Sequence, residues 1–280
     1  MDELEKGSFS REPLPREWPE PIRLVSWNVN RGLRSTEIIE FLAASSADLI
    51  LLQETDVNAR RTRCLNIPRE IAEALKMHYV FGREFEELGQ GNRVYPAFHG
   101  QTTLSRFPLS NPRILRFRRQ STFWQPRWFI PRLQAFQRRL GARMALICEI
   151  SIQGRTMVFY NAHLESRGSN ELRYSQLSEM LGAAESNSGK AHVIVAGDLN
   201  FNISRGPAAS LISCTQLNSP FARLEGKNTA RVRGHARCAA IDWILTDKTL
   251  CTSGPEIHDA ICASDHYPLS LEIHMKGDRC

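Results

Sequence analysis

An α/β fold built from two packed sheets follows from three observations. Seven short aliphatic or β-branched runs read as strands, and helical patterns lie between some of them. Gln153-Gly154 joins two of the runs as a tight hairpin, which makes part of the sheet antiparallel. Strands and helices mixed along one continuous chain give two sheets stacked face to face with helices outside.

The elements follow in chain order. Residues 1–20 are charged and broken by prolines, and read as a loose leader. The globular pattern starts with IRLVSWN (22–28). Ser35 to Ala44 then opens with hydroxyl caps and repeats Ile38, Ile39, Phe41 and Leu42 at helical spacing. ADLILLQE (47–54) is the second strand, and Pro68 starts the helix REIAEALKM at its favoured first position. RMALICEISI (143–152) and RTMVFYNAH (155–163) are the hairpin strands. Asn170 to Ala184 places Leu172, Leu177, Met180, Leu181 and Ala184 on one side of a helix. HVIVAGD (192–198), AIDWILT (240–246) and HYPLSLEIH (266–274) complete the strands. No internal repeat and no linker interrupts the chain, so one domain over about 21–276 is expected, with an insertion at about 107–142.

Composition excludes several classes. A hydrophobic share of 42% with 24% charged residues is globular rather than disordered or collagenous. There is no run of eighteen apolar residues and no apolar signal-peptide core, which points to a cytoplasmic protein. The seven cysteines are scattered singly, without a CxxC pair, so free thiols are expected and no zinc knuckle. Net charge is +6 but unevenly spread: Leu88 to Cys148 holds 11 Arg and no Lys, Asp or Glu, leaving −5 for the rest. An acidic body with one basic stretch suggests an anionic partner.

The apolar runs share an ending. Asn28, Gln53-Glu54, Asn161 with His163, and Asp198-Leu199-Asn200 each close a strand, while Ser264-Asp265-His266 precedes the last one. Ligand sites of α/β folds favour such strand ends. Asn28, Glu54 and Asp265 offer oxygen, the donor set Mg²⁺ takes while keeping several waters. Asp198 and Asn200, two apart, turn to the same side of an extended backbone. One suits a water proton, the other a phosphate oxygen. His163 and His266 supply donors that can be cationic near a dianion, and Asp242 is placed to orient His266. A Lewis acid, a base and cationic donors are what phosphoester hydrolysis needs. Blander roles stand beside these: His163 packed on Tyr160, Asp242 paired with Arg237, and His99 and Gln101 shaping a turn at Gly100 rather than lining the pocket. The remaining five histidines lack such partners.

The string SWNVN…DLILLQE…HGQTTLSRFPL…NAHLES…VAGDLN…IDWIL…SDHYPL resembles the endonuclease/exonuclease/phosphatase superfamily, in that family's order, from about Ile22 to Ile273. The resemblance implies a four-layered α/β sandwich, two packed mixed β-sheets flanked by helices, and a Mg²⁺- or Mn²⁺-dependent phosphoesterase. By it, Asn28, Glu54 and Asp265 are metal residues, and His163 faces the phosphate. Asp198 and Asn200 orient or deprotonate water and hold the phosphate, and Asp242 buttresses His266. Asp198 and His266 both remain candidate bases. Abasic-site endonucleases carry Asp where this chain has Asn30; the lost carboxylate weakens the metal site or marks a different subgroup, and Asn30 is expected among the substrate-binding residues. HLESRGSNELRYSQL is also similar to the 5′-tyrosyl-DNA phosphodiesterase branch and implies substrate contacts at Ser166 and Arg173.

The insertion is the substrate-choosing candidate. Its segment TFWQPRWFIPRLQAFQRRL interleaves Trp124, Trp128, Phe129 and Phe136 with Arg127, Arg132, Arg138 and Arg139, and Pro131 to Leu140 reads as a short amphipathic helix. Aromatics among arginines suit nucleic-acid bases and phosphates, with Arg127 as a contact. The same pattern suits an anionic membrane surface, or a solvated cap. The leading expectation is therefore a phosphodiesterase or nuclease acting on nucleic acid. A phospholipid, sphingomyelin or inositol-phosphate esterase is the alternative, and a non-catalytic anion-binding module the third. No obligate protein partner is evident.

Overall fold

The computed structural model describes residues 3–11, 13, 15–123, 137–224, 226–231 and 240–275. The chain runs through β1 (Leu4–Ser8), β2 (Ile22–Arg31), α1 (Ser35–Ser45), β3 (Leu49–Val57), α2 (Ile67–Leu75), β4 (His78–Glu87), β5 (Phe98–Ser105) and β6 (Ser110–Arg116). It continues through β7 (Arg139–Gly141), β8 (Met144–Ile152), β9 (Arg155–His163), α3 (Asn170–Glu185), β10 (His192–Asp198) and α4 (Gly206–Ser213). It closes with β11 (Leu217–Asn218), β12 (Asp242–Asp247), β13 (Cys251–Ile257) and β14 (Leu269–His274).

One sheet has the order β1-β4-β5-β3-β2-β14-β13, with β7 also on β4; the other is β11-β12-β10-β9-β8-β6. Both are mixed. β2 and β3 are parallel across α1, β9 and β10 are parallel across α3, and the remaining pairs are antiparallel. All seven strand runs read from sequence are strands, and Ile152↔Arg155 closes the hairpin on Gln153 and Gly154, both at positive φ.

Strand periodicity sorts the core. Leu24, Leu49 and Leu51 join the large cluster that also holds Ala145, Ile147 and Tyr160. Their neighbours Val25, Trp27, Ile50 and Leu52 pack instead with Ile38 and Leu42 of α1 and Ile67 and Ile71 of α2. On the second sheet, Leu177, Met180, Leu181 and Ala184 of α3 join the large cluster, and the Tyr160 hydroxyl donates to Ala183 O at 2.9 Å. Helices, sheet, sheet and helices make the four layers. Towards the strand ends the interior turns polar. Gln53 Nε2 donates to Asn161 Oδ1 (2.8 Å), and Asn161 Nδ2 donates to Leu52 O (3.0 Å) and Thr102 O (2.9 Å), stitching the sheets beneath the site.

Several expectations change. The leader is not loose: β1 pairs with β4 from Leu4↔Gly82 to Ser8↔His78, and Trp18 is buried against Phe107. An edge strand can be this polar because only one face is covered. α1 lacks a hydroxyl cap; Arg34 is its N-cap residue and makes no side-chain cap bond. The insertion begins with β6, an edge strand paired to β8, and Arg139–Gly141 pairs with β4 where a helix to Leu140 was read. Trp124, Arg127, Trp128, Phe129, Arg132 and Phe136 lie outside the described residues. Cys251 is disulfide-bonded rather than a free thiol, whereas Cys64, Cys148, Cys214 and Cys262 are free. Among the described residues no helix is long and apolar enough to cross a membrane.

Candidate functional site

Strand register places the first group of residues. Asp198, the last residue of β10, lies opposite His163 of β9 and Asp242 of β12, so three chemistry-bearing side chains form one row across neighbouring strands. Gly197 makes the row possible. At φ 144° it brings the backbones so close that a Cβ would sit 1.9 Å from Ala162 O. Asp198 is buried. Its Oδ2 accepts from Asn28 Nδ2 at 3.0 Å and its Oδ1 from Asn200 N at 3.0 Å. Asn200, at φ 58°, donates Nδ2 to Leu164 O at 3.1 Å. Ser264 Oγ donates to Asn28 O (2.7 Å) and Trp27 Nε1 to His266 O (2.9 Å), which fixes the turn before β14 over the end of β2.

That turn delivers His266 to the row. Its Nδ1 lies 2.9–3.0 Å from both Asp242 oxygens, and Asp242 Oδ2 also accepts from Thr229 Oγ1 at 2.7 Å. His266 Nε2 then faces Asp198 Oδ2 at 3.7 Å. Burial disfavours a charged imidazole here, but the Asp242 and Asp198 carboxylates outweigh it and push His266 up to about 10. His266 is therefore a cation held over Asp198.

Glu54 is presented differently. The β2–β3 ladder shifts register between Asn28 and Arg31, and the β3–β5 ladder between Leu52 and Thr55. Within that bulge Glu54 adopts φ 55°, a conformation uncommon for a residue with a side chain. Gln53 is thereby spent between the sheets while Glu54 faces the site. Burial opposes charge on Glu54, yet His99, His163, Arg31 and Arg143 together hold its carboxyl far below the ordinary range. Its oxygens lie 3.9 Å from His163 Nε2 and 3.8 Å from Arg31 Nη2, and among the described residues it makes no hydrogen bond.

A buried cluster sets the orientation of His163. Arg143 Nη1 lies 2.9 Å from His163 Nδ1 and donates to Glu84 Oε1 at 2.7 Å, while Nη2 donates to Ser166 Oγ at 2.8 Å. A guanidinium can only donate, so Nδ1 is the acceptor and the imidazole hydrogen sits on Nε2. That Nε2 lies 3.5 Å from Asp198 Oδ2 and between the two carboxylates. His163 therefore turns its Nε2–H towards the site. Behind Glu54, buried His99 Nδ1 lies 2.8 Å from Asp56 Oδ1.

The donor chemistry fits a divalent cation. Asp198, Asp242 and His266 offer ligand atoms within 4.8 Å of one another, but a protonated His266 has no free ring nitrogen for a metal, which leaves Glu54, a carboxylate without hydrogen bonds among the described residues, as the open donor. Of the other residues expected at a metal, Asn28 Oδ1 already accepts from Asn30 N at 3.0 Å, and Asp265 is exposed beside Ser264. Asn30 Oδ1 accepts from Arg31 Nη1, which ties the two residues together at the end of β2. Arg173 is likewise spent. Nε and Nη2 donate to Glu165 O (2.6 Å) and Ser166 O (3.0 Å), and Nη1 to Asn170 Oδ1 (2.9 Å), because α3 runs directly beneath this turn. Ser166 is exposed at the rim of a cavity of about 630 Å³ that Glu54 also lines. Sequence reasoning missed Arg143 and Glu84. Arg143 alone had a local signal, a single charge just before the buried run of its strand, whereas Glu84 sits among Arg83, Glu86 and Glu87.

A family model of the Endonuclease/Exonuclease/phosphatase family matches residues 25–266. Among solved structures, an endonuclease/exonuclease/phosphatase from Beutenbergia cavernae is 15% identical, with 92% of this chain and 72% of that one covered and a TM-score of 0.67. The D. rerio TDP2 complexed with single strand DNA product is 18% identical, covering 92% and 100%, at TM-score 0.61. The human Nocturnin catalytic domain with bound sulfate anion is 19% identical, covering 97% of each chain, at TM-score 0.65. No curated protein sequence matches significantly. The seven motifs, the four-layered sandwich and the family model agree: this chain belongs to the Endonuclease/Exonuclease/phosphatase family.

Proposed function

We propose that this protein is a Mg²⁺- or Mn²⁺-dependent phosphodiesterase acting on nucleic acid. The carrying observation is the buried row Asp242–His266–Asp198–His163, with Glu54 on its far side. A metal at Glu54, with Asn28 and Asp265, would supply positive charge against the phosphate. The protein's own groups do the rest. Because His266 is cationic, Asp198 is the remaining acceptor for the water proton. Water oxygen bonds to phosphorus, its proton passes to Asp198, and the bond to the leaving alcohol oxygen breaks; that oxygen takes a proton from solvent. His266, His163 Nε2–H and the second Asn200 amide hydrogen donate to the phosphate oxygens as charge builds. Asp242 keeps His266 turned towards the site.

Two features support nucleic acid as substrate: the 11 arginines between Leu88 and Cys148, and the shared fold of a TDP2 complexed with single strand DNA product. Purified protein should cleave single-stranded DNA with Mg²⁺ or Mn²⁺ and lose that activity in EDTA. A panel of abasic, 5′-tyrosyl and single-stranded DNA beside sphingomyelin and inositol phosphates identifies the substrate. Cleavage of the lipid or inositol compounds alone, or undiminished activity in EDTA, would falsify the reading.

A further inference from the structure

The cavity of about 630 Å³ beside Glu54 is lined by Arg31, Arg61, Arg138, Arg139, Arg143 and Arg167, against two glutamates, Glu54 and Glu87. Three of those arginines are neutralised by buried acids. Arg61 holds Asp56 (2.6 Å) and Glu87 (3.0 Å), Arg139 holds Glu87 (2.6 Å), and Arg143 holds Glu84 (2.7 Å). Of the other three, Arg31 is offset by Glu54 and two are in surplus. Arg31 lies 3.8 Å from Glu54, Arg167 lies 4.7 Å over the Phe123 ring, and neither Arg138 nor Arg167 has an acidic partner among the described residues. A concave wall with unpaired guanidiniums concentrates an anion, and guanidinium forks match phosphate oxygens.

Position gives the cavity its role. Glu54 lines it, whereas Asp198, Asn200, Asp242 and His266 do not. His163 Nε2 stands between the two sides, 3.5 Å from Asp198 and 3.9 Å from Glu54. A phosphate over His163 is attacked from the Asp198 side, and in-line displacement sends the leaving oxygen the opposite way. We propose that the arginine cavity is a second phosphate site, which receives a further phosphate carried by the leaving group of the scissile ester. This rests on the phosphodiesterase reading for the direction of departure, but not for the anion site itself.

Two measurements decide it. The first compares kcat/KM for d(TpT), pd(TpT) and d(TpTp) with Mg²⁺, using product analysis to show which oxygen leaves. The dinucleotide with its extra phosphate on the leaving side should be faster than d(TpT) by about tenfold or more, the scale of charged hydrogen bonds. That ratio should fall towards one in the R138A/R167A variant. Equal rates for all three, or a ratio that survives the variant, overturn the assignment. The second titrates metal-free full-length protein with inorganic pyrophosphate by calorimetry, and R138A/R167A should weaken binding about tenfold. Unchanged affinity overturns the anion site. If no dinucleotide is cleaved while pyrophosphate binding still depends on the arginines, the phosphodiesterase reading and the leaving-group direction fail together and the anion site stands.

Discussion

The two sides of the site are built on opposite principles. Around Asp198, regular strands in register hold every carboxylate against a hydrogen-bond partner: Asn28 and Asn200 on Asp198, Thr229 and His266 on Asp242. Around Glu54 the ladders are bulged, the backbone takes a positive φ, and among the described residues the carboxylate has only charges at 3.8–3.9 Å. Proton transfer needs groups fixed to a fraction of an ångström, which paired strands provide. A cation and an anionic substrate need groups left open to receive them, and an irregular backbone over a charged cavity provides that. On the proposed function, the difference separates a side that reacts from a side that binds.

The largest effects should come from removing one side at a time. Asp198→Asn keeps the shape and several hydrogen bonds but removes the proton acceptor, so kcat should fall by roughly 10²–10⁴-fold. Glu54→Gln should cost comparable activity, yet excess metal should recover part of it, which Asp198→Asn should not allow. Steady-state kinetics over a metal titration checks both. Equal metal dependence in the two variants would erase the proposed division. Asp242→Asn comes next, at roughly 10- to 100-fold, the range for residues that orient a catalytic group. In metal-free protein, NMR titration of His266 should show it protonated to about 10, falling towards 6.5 in Asp242→Asn. An unmoved titration would show that Asp242 does not hold the imidazole.

The regular side was the more legible one, although Glu54 also showed at the end of ADLILLQE. IRLVSWN, HVIVAGD and AIDWILT are apolar runs whose polar last or embedded residues the register then aligns, so the sequence alone exposes Asn28, Asp198 and Asp242. β4 and β5 escaped notice because HYVFGREFEE and FHGQTTLS carry charged and polar side chains into the interior, where the signal for a strand is lost. The same polar interior hides Arg143 and Glu84, 59 residues apart, since an ion pair between distant strands depends on a register that no local pattern states. Arg127 and its aromatic neighbours fall outside the described residues, so the expected base-stacking groove is still an expectation.

Glu84 tests how the two sides are coupled. Burial pushes its carboxyl up, but Arg143, His163 and His99 prevail and hold it at about 2 against an ordinary 4.5. A folded value below the unfolded one means the stabilisation is complete above about 4.5 and is lost as pH falls towards about 2. Glu84→Gln should therefore flatten the acid limb of the stability curve in that window. At neutral pH it should cost about 3–5 kcal/mol, because Arg143 keeps a buried charge without its counterion. Chemical denaturation from pH 7 to 2.5 measures both, and an unchanged acid limb would mean the pair is not coupled in this way.

Arg173 should give the smallest effect, and it sharpens the boundary between binding and support. Its sequence position suggests a substrate contact, but its guanidinium is committed to Glu165 O, Ser166 O and Asn170 Oδ1. Arg173→Ala frees two carbonyls at a turn whose Ser166 is already exposed, so water can replace part of what is lost. Stability should fall by about 1–3 kcal/mol, the scale of hydrogen bonds from a charged donor. KM should stay within about twofold, because no interaction with bound substrate has been removed. A large rise in KM with unchanged Tm would place Arg173 in the binding side after all, and would require the α3 turn to open when substrate arrives.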